Sequence, residues 1–130
     1  MKILVGYDGS NVSKEAVSLA EHHAVQFKAE VIIAHSMAGG PEVPRKDFEI
    51  AENNLEYEKN RLLDKNCPCE SVLSVRGLEA GEDLVQLAEE NKVEEIIIGV
   101  RRRSKVGKLL FGSTAQYVIL NAPCPVVSVK

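Results

Sequence analysis

Five short apolar runs, separated by longer segments of helical periodicity, constrain the fold of this chain more than any other feature. Continuous Val and Ile runs are typical of strands that are covered on both faces. The intervening segments carry apolar residues at the spacing of amphipathic helices. The predicted strands are residues 3–7, 31–35, 71–75, 95–98 and 125–129, and the predicted helices are 12–27, 48–63, 81–88 and 114–120. This alternation predicts an α/β fold, an open five-stranded parallel sheet with helices on both faces.

Ligand sites in open parallel sheets lie beyond the carboxyl ends of the strands, where the strand order reverses. Alternation alone does not determine the strand order. In the order 3-2-1-4-5, the reversal falls between the first and fourth strands. Asp8 follows the first strand and Gly99 follows the fourth, so both would lie at one crevice.

The segment from Ile96 to Thr114 predicts an anion site. Its apolar run ends at Gly99, and a later Gly-Ser-Thr opens a helix-like segment. Glycine lets backbone N–H groups approach a phosphate, and a helix start supplies unpaired N–H donors and a positive dipole end. Between them lie five of the chain's 16 basic residues, although the net charge is −3: Arg101, Arg102, Arg103, Lys105 and Lys108. This concentration of positive charge predicts a phosphate-bearing ligand.

Each of these features also has a purely structural interpretation. Asp8 and Gly9 can form a simple turn, Gly112 and Ser113 can be a helix cap, and the basic loop can be a solvated surface. A Walker-type P-loop is rejected, because Ser113 follows the second glycine where that motif needs Lys. No G-x-G-x-x-G follows the first strand, which argues against a standard dinucleotide site.

Length and composition exclude several classes of protein. The 130 residues predict a single domain over 1–130. A slightly acidic chain argues against general nucleic-acid binding. No signal peptide or membrane-spanning run is visible, which predicts a cytoplasmic protein without membrane contact. Cys67, Cys69 and Cys124 lack the pattern of a zinc site and are predicted to be reduced structural thiols.

The sequence resembles the universal stress protein (UspA) family over essentially its whole length. The resemblance lies in residues 3–10, in 31–35 and in the Ala-Pro-Cys-Pro-Val-Val stretch at 122–127. Nucleotide-binding members carry Gly-x2-Gly-x9-Gly-Ser/Thr. Gly99 matches the first glycine, and Gly112 and Ser113 match the final pair, but Arg102 replaces the second glycine. Arg102 can block close backbone approach or supply a charged contact.

The resemblance implies the sheet order 3-2-1-4-5 and a role for each matching residue. Asp8 would contact the ribose or, with the nucleotide, a metal ion such as Mg or Mn. Ser36 would face adenine through its backbone, and Gly99 would line the ribose end. Residues at the later Gly-Ser-Thr would hold phosphates. The full predicted nucleotide-binding set is Gly6, Tyr7, Asp8, Ser36, Gly99, Arg101, Arg102, Arg103, Gly112, Ser113 and Thr114.

The sequence therefore predicts a regulatory stress-response protein that binds an adenine nucleotide, ATP or AMP or ADP. Two alternatives stay open: an interaction module of the same fold without nucleotide, and a slow ATP hydrolase. No dedicated catalytic residue is predicted. The fifth strand would lie at a sheet edge, and its short apolar sequence, Val126 to Val129, predicts a homodimer through pairing with the same strand of a second copy.

Overall fold

Strands and helices alternate through the part of the chain that the computed structural model describes, residues 1–100 and 112–130. In chain order the elements are β1 (Lys2–Gly6), α1 (Asn11–Phe27), β2 (Glu30–Ser36), α2 (Arg45–Leu63), β3 (Cys69–Ser74), α3 (Ala80–Asn91), β4 (Glu95–Gly99), α4 (Ser113–Asn121) and β5 (Val126–Val129). The fold class and all nine predicted elements are confirmed.

The five strands form one parallel sheet in the order β3-β2-β1-β4-β5. The central strand β1 pairs with β2 on one side, Val5 opposite Ile33, and with β4 on the other, Val5 opposite Ile97. The strand order implied by the family resemblance is confirmed. The carboxyl ends of β1 and β4 are adjacent, so the chain reverses its winding direction between them.

Two hydrophobic clusters cover the two faces of the sheet. One contains Ile3, Val5 and Ile33 with buried residues of α1 and α2. The other contains Leu4 and Ile96 with buried residues of α3 and α4. Successive strand residues point to opposite faces, so an uninterrupted apolar run serves both clusters. This explains why the central strands read as continuous Val, Ile and Leu runs.

The end of α3 and the start of α2 differ from the boundaries that the sequence predicts. Helix α3 continues to Asn91, three residues past Ala88, and ends where Lys92 adopts a left-handed φ of 53° and donates its N–H to Ala88. Helix α2 begins at Arg45, three residues earlier than expected, directly after the extended Pro44. Apolar spacing does not reveal such polar end turns.

The cysteines are free thiols in this structure. Cys67 and Cys69 are buried, at 2% and 7% exposed. Burial raises the pKa of Cys67 and, with a smaller effect of the neighbouring Cys67, raises the pKa of Cys69 to about 12. Both thiols therefore stay protonated at neutral pH, a state in which they are poor nucleophiles. None of the described helices is long and apolar enough to cross a membrane.

Candidate functional site

The turn after β1 places an acidic side chain at the carboxyl end of the central strand. Gly9 adopts a φ of 84°, which favours glycine. The Oδ1 atom of Asp8 accepts a hydrogen bond from the backbone N–H of Ser10 at 2.9 Å. Ser10 in turn caps α1, because its Oγ accepts from Ser13 N at 3.2 Å. Asp8 and Gly9 thus form a turn that leads into a capped helix, and this turn leaves the Asp8 side chain exposed.

Gly99 ends β4 where the first turn of α1 approaches it closely. A Cβ atom at Gly99 would lie 2.8 Å from Val12 Cγ1 and 2.9 Å from the carbonyl carbon and oxygen of Val12. Real Cβ atoms do not approach backbone that closely. Glycine is thus needed here for packing against α1, in addition to any role in admitting a ligand.

The start of α4 presents backbone donors. Gly112 is the extended N-cap residue and has no side chain with which to cap the helix. The first bond within the helix runs from Gln116 N to Gly112 O at 3.0 Å. The N–H groups of Ser113, Thr114 and Ala115 precede it and have no acceptor within α4. They form a concentrated donor set at the positive end of the helix dipole.

These elements enclose one cavity of about 230 Å³ at the switch point between β1 and β4. Eight predicted nucleotide-binding residues line it: Gly6, Tyr7, Asp8, Ser36, Gly99, Gly112, Ser113 and Thr114. Arg101, Arg102 and Arg103 lie outside the described residues. Sequence reasoning missed several lining residues from α1, α3 and the strands, among them Val12, Ala34, Ala80, Leu84 and Ile98. The structure therefore brings the described part of the predicted site together.

The cavity changes character from one end to the other. Towards α4 it is lined by the N-terminal residues of that helix, and Asp8 is the only carboxylate among its described lining residues. Towards β2 and α3 the lining is Ala34, Ser36, Ala80 and Leu84. One end can hold an anion through backbone N–H groups, and the other can hold a flat apolar group.

A buried ion pair behind the cavity was not predicted. Asp83 in α3 is only 1% exposed. Its Oδ1 accepts from Arg76 Nε at 2.6 Å, and its Oδ2 accepts from Ser36 Oγ at 2.5 Å. Asp83 was not among the predicted site residues. A signal was present, since Asp83 lies four residues before Leu87 on the buried face.

His35 lies on the opposite face of the sheet, at the carboxyl end of β2. Its ring packs edge-on against that of Tyr7, with ring centroids 6.1 Å apart. Its Nδ1 is buried, and among the described residues it has no hydrogen-bond partner. Burial lowers the pKa of His35 below its ordinary 6.5, and the negative charge of Asp8 only partly opposes this. His35 is thus a half-buried residue whose ring is neutral at neutral pH.

The stability of the protein is expected to fall as the pH drops below 6.5, because of His35. In that range the unfolded chain binds a proton at His35 that the folded protein, with its lowered pKa, does not bind, and this favours unfolding. His35→Phe should retain the ring contact with Tyr7 and flatten this part of the pH profile. Urea unfolding of both proteins at several pH values measures the difference, because the two proteins are identical at every other residue. Parallel pH profiles would show that His35 is not the cause.

The fold and the cavity together define a class: an open, doubly wound α/β domain with its ligand cavity at the topological switch point. The model of the universal stress protein family matches residues 1–130. The chain belongs to the universal stress protein family.

Individual relatives agree with this assignment. A universal stress protein of Thermus aquaticus is 34% identical over 98% of this chain and 97% of its own length. A solved universal stress protein structure from Archaeoglobus fulgidus is 34% identical, with a TM-score of 0.90 over 100% of this chain and 98% of its own. Another structure from that organism, in complex with dAMP, is 30% identical, with a TM-score of 0.85 over the same shares of both chains.

Proposed function

We propose that this chain is a cytoplasmic regulatory protein that binds an adenine nucleotide, with ATP as the ligand. The observation that carries the proposal is the convergence of Asp8, Gly99 and the open N-terminus of α4 on one cavity. A relative with 30% identity and closely similar structure binds dAMP, which supports adenine as the base.

The cavity suggests how the nucleotide lies. The phosphates take the N-terminus of α4, where the N–H groups of Ser113 and Thr114 are available. The ribose lies between Asp8 and Gly99, and the base occupies the apolar end beside β2 and α3.

A magnesium or manganese ion fits this arrangement only as a companion of the nucleotide. The described residues contain no group of three His, Cys, Asp or Glu that could hold a metal. Asp8 supplies a single carboxylate, and Mg²⁺ is commonly held by one or two carboxylates together with substrate phosphates. Asp8 would hold such an ion together with the nucleotide, and the ion would supply positive charge that offsets the phosphates. A hydrolase is the less favoured function, because the described cavity offers no second carboxylate to act as a base.

ATP with magnesium is expected to stabilise the protein against heat. At about 100 times the dissociation constant, binding to one site raises the free energy of unfolding by about 2.7 kcal/mol. Combining Gly112→Val with Ser113→Ala should abolish the ATP effect, because a side chain would crowd the phosphates. Differential scanning calorimetry with millimolar ATP measures both effects. Folded wild-type protein whose midpoint does not move would show that ATP is not the ligand.

Adenosine provides the matched control for this variant. It lacks the phosphates, so its weaker binding should be nearly the same in the wild type and in the Gly112→Val, Ser113→Ala protein. Equal losses of ATP and adenosine binding would show that the variant distorts the whole cavity and not the phosphate end.

We also propose that the protein is a homodimer through β5. In the sheet order, β5 pairs only with β4. Ile96 N donates to Pro125 O at 3.0 Å and Val100 N to Val129 O at 2.7 Å. The backbone groups of Pro125 and Val129 thus point towards β4. Because this direction alternates along a strand, the backbone groups of Val126 and Ser128 point towards the open edge. An antiparallel partner strand would satisfy those groups about a two-fold axis.

Ser128→Pro is expected to convert the dimer into monomers, because it removes the central outward N–H donor of β5. Ser128→Ala is the matched control, since it keeps the N–H and removes only an exposed hydroxyl. Sedimentation velocity across a range of protein concentrations measures both, with circular dichroism to verify folding. A monomeric wild type at high micromolar concentration would contradict the dimer, and a dimeric Ser128→Pro protein would place the interface elsewhere.

A further inference from the structure

The hydroxyl of Ser36 at the apolar end of the cavity is held in one orientation by a buried carboxylate. Ser36 Oγ lies 2.5 Å from Oδ2 of Asp83, whose side chain is 1% exposed. The other carboxylate oxygen of Asp83 accepts from Arg76 Nε at 2.6 Å. Asp83 also fixes the position of the loop that follows β3, because Arg76 belongs to that loop.

Asp83 can only accept hydrogen bonds in this environment. Burial on its own would raise the pKa of Asp83, but hydrogen bonds from Ser36, Ser74 and Arg76 and the positive charge of Arg76 outweigh it and lower the pKa. An ionised carboxylate has no proton to donate. The proton of the Ser36 hydroxyl must therefore point at Asp83.

A serine hydroxyl that already donates its proton to one acceptor can only accept hydrogen bonds from any other neighbour. Ser36 lines the cavity beside Ala34, Ala80 and Leu84, whose side chains have no polar atoms. Among the described side chains at this end of the cavity, the Ser36 oxygen is thus the polar feature that a nucleobase meets. A base with an amino group there gains a hydrogen bond, whereas a base with a carbonyl oxygen faces a second acceptor.

We infer that Ser36, fixed as an acceptor by Asp83, selects nucleobases that carry an exocyclic amino group over those with an oxo group at the same position. This deepens the proposed function, on which it rests. Ser36 is the specificity-determining residue and Asp83 is its positioning residue. The preference has two causes. An amino group donates a hydrogen bond to the Ser36 oxygen, whereas an oxo group faces that oxygen with no donor between the two acceptors.

ATP and ITP test this inference, because they differ in shape chiefly at the amino or oxo group of the base. The wild-type protein should bind ATP about tenfold more tightly than ITP, the ratio that one net hydrogen bond supplies. Ser36→Ala should bring the ratio of the two dissociation constants close to one. Isothermal titration calorimetry of both nucleotides gives the ratio for each variant. Since both ligands bind the same folded molecules, a loss of folded protein cancels from the ratio.

Asp83→Asn tests the positioning role of Asp83 while the Ser36 hydroxyl is kept. The amide carries a donor as well as an acceptor, so Ser36 is free to turn its proton towards an oxo group. ITP binding should then improve relative to ATP although Ser36 itself is unchanged. Ser71→Ala, which deletes a serine hydroxyl on β3 outside the cavity lining, is the control and should keep the wild-type ratio.

The outcomes distinguish this inference from the function on which it rests. ATP binding with an unchanged ATP-to-ITP ratio in Ser36→Ala would overturn the role of Ser36 and leave the nucleotide proposal standing. A wild type that binds neither nucleotide would overturn both. A ratio that falls in Ser36→Ala but not in Asp83→Asn would retain Ser36 and remove Asp83.

Discussion

Gly99→Ala is expected to lower the free energy of unfolding by about 1–3 kcal/mol, the cost typical of overpacking a well-filled site. The added Cβ would lie 2.9 Å from the carbonyl carbon and oxygen of Val12. These atoms belong to the first turn of α1, so the clash is relieved only if the helix start moves away from β4. Urea unfolding with an unchanged m-value measures the loss. An Ala variant as stable as the wild type would show that α1 does not press on β4 as described.

Two companion variants identify the atoms responsible. Gly6→Ala places its Cβ 3.1 Å from Leu84 Cδ1 and 3.2 Å from Ile98 Cγ2. These contacts are longer than those at Gly99 and involve side-chain atoms only, so this substitution should cost less. Adding Val12→Ala to Gly99→Ala removes the Cγ1 contact but keeps the two backbone contacts. The double variant should therefore recover little of the lost stability. Full recovery would assign the clash to the Val12 side chain alone.

Much of the fold follows from the sequence because the sheet is buried on both faces. A strand such as β1, in which Ile3, Leu4 and Val5 are all fully buried, has to be apolar at each of these consecutive positions. The strand order, in contrast, could not be predicted from the burial of the strands. Alternation is compatible with several orders, and only the family resemblance selected 3-2-1-4-5, which the structure confirms.

The candidate site was predictable where its chemistry belongs to the backbone. A glycine after a strand and a Gly-Ser-Thr before a helix mark Gly99 and the start of α4 in the sequence itself. The two strands that lead to Asp8 and Gly99 are neighbours, so the predicted residues that the structure describes converge on one cavity. The reason for Gly99 was incomplete, however, since its contact with Val12 depends on the approach of α1.

The hydrogen-bond partners of Asp83 could not be predicted, for a different physical reason. The residues of this network come from β2, the end of β3, the following loop and α3, separated by up to 47 positions along the chain: Ser36, Ser74, Arg76 and Asp83. Each alone is an ordinary polar residue. Only the sheet order, which places β2 next to β3 and packs α3 on the same face, brings them into contact.

Asp83→Ala is expected to lower the free energy of unfolding by about 3 kcal/mol, at the lower end of the cost of breaking a buried ion pair. The substitution leaves Ser36 without its acceptor and Arg76 without its closer carboxylate. The cost stays near that lower end because Arg76, whose side chain is 31% exposed, can still reach water and Glu90, 2.8 Å away. Chemical denaturation at neutral pH, followed by circular dichroism, measures the change.

Glu90→Ala is the matched control, because it removes the other carboxylate of the same arginine. The Glu90 side chain is 49% exposed, and exposed ion pairs contribute at most about 1 kcal/mol. Each variant removes from Arg76 one carboxylate of α3, so the difference between them measures what burial and the serine hydrogen bonds of Asp83 add. If both cost the same, the stability comes from the charge of Arg76 alone. A larger loss in Asp83→Ala shows that the buried hydrogen bonds to Ser36 and Arg76 hold β2, the loop after β3 and α3 together behind the cavity.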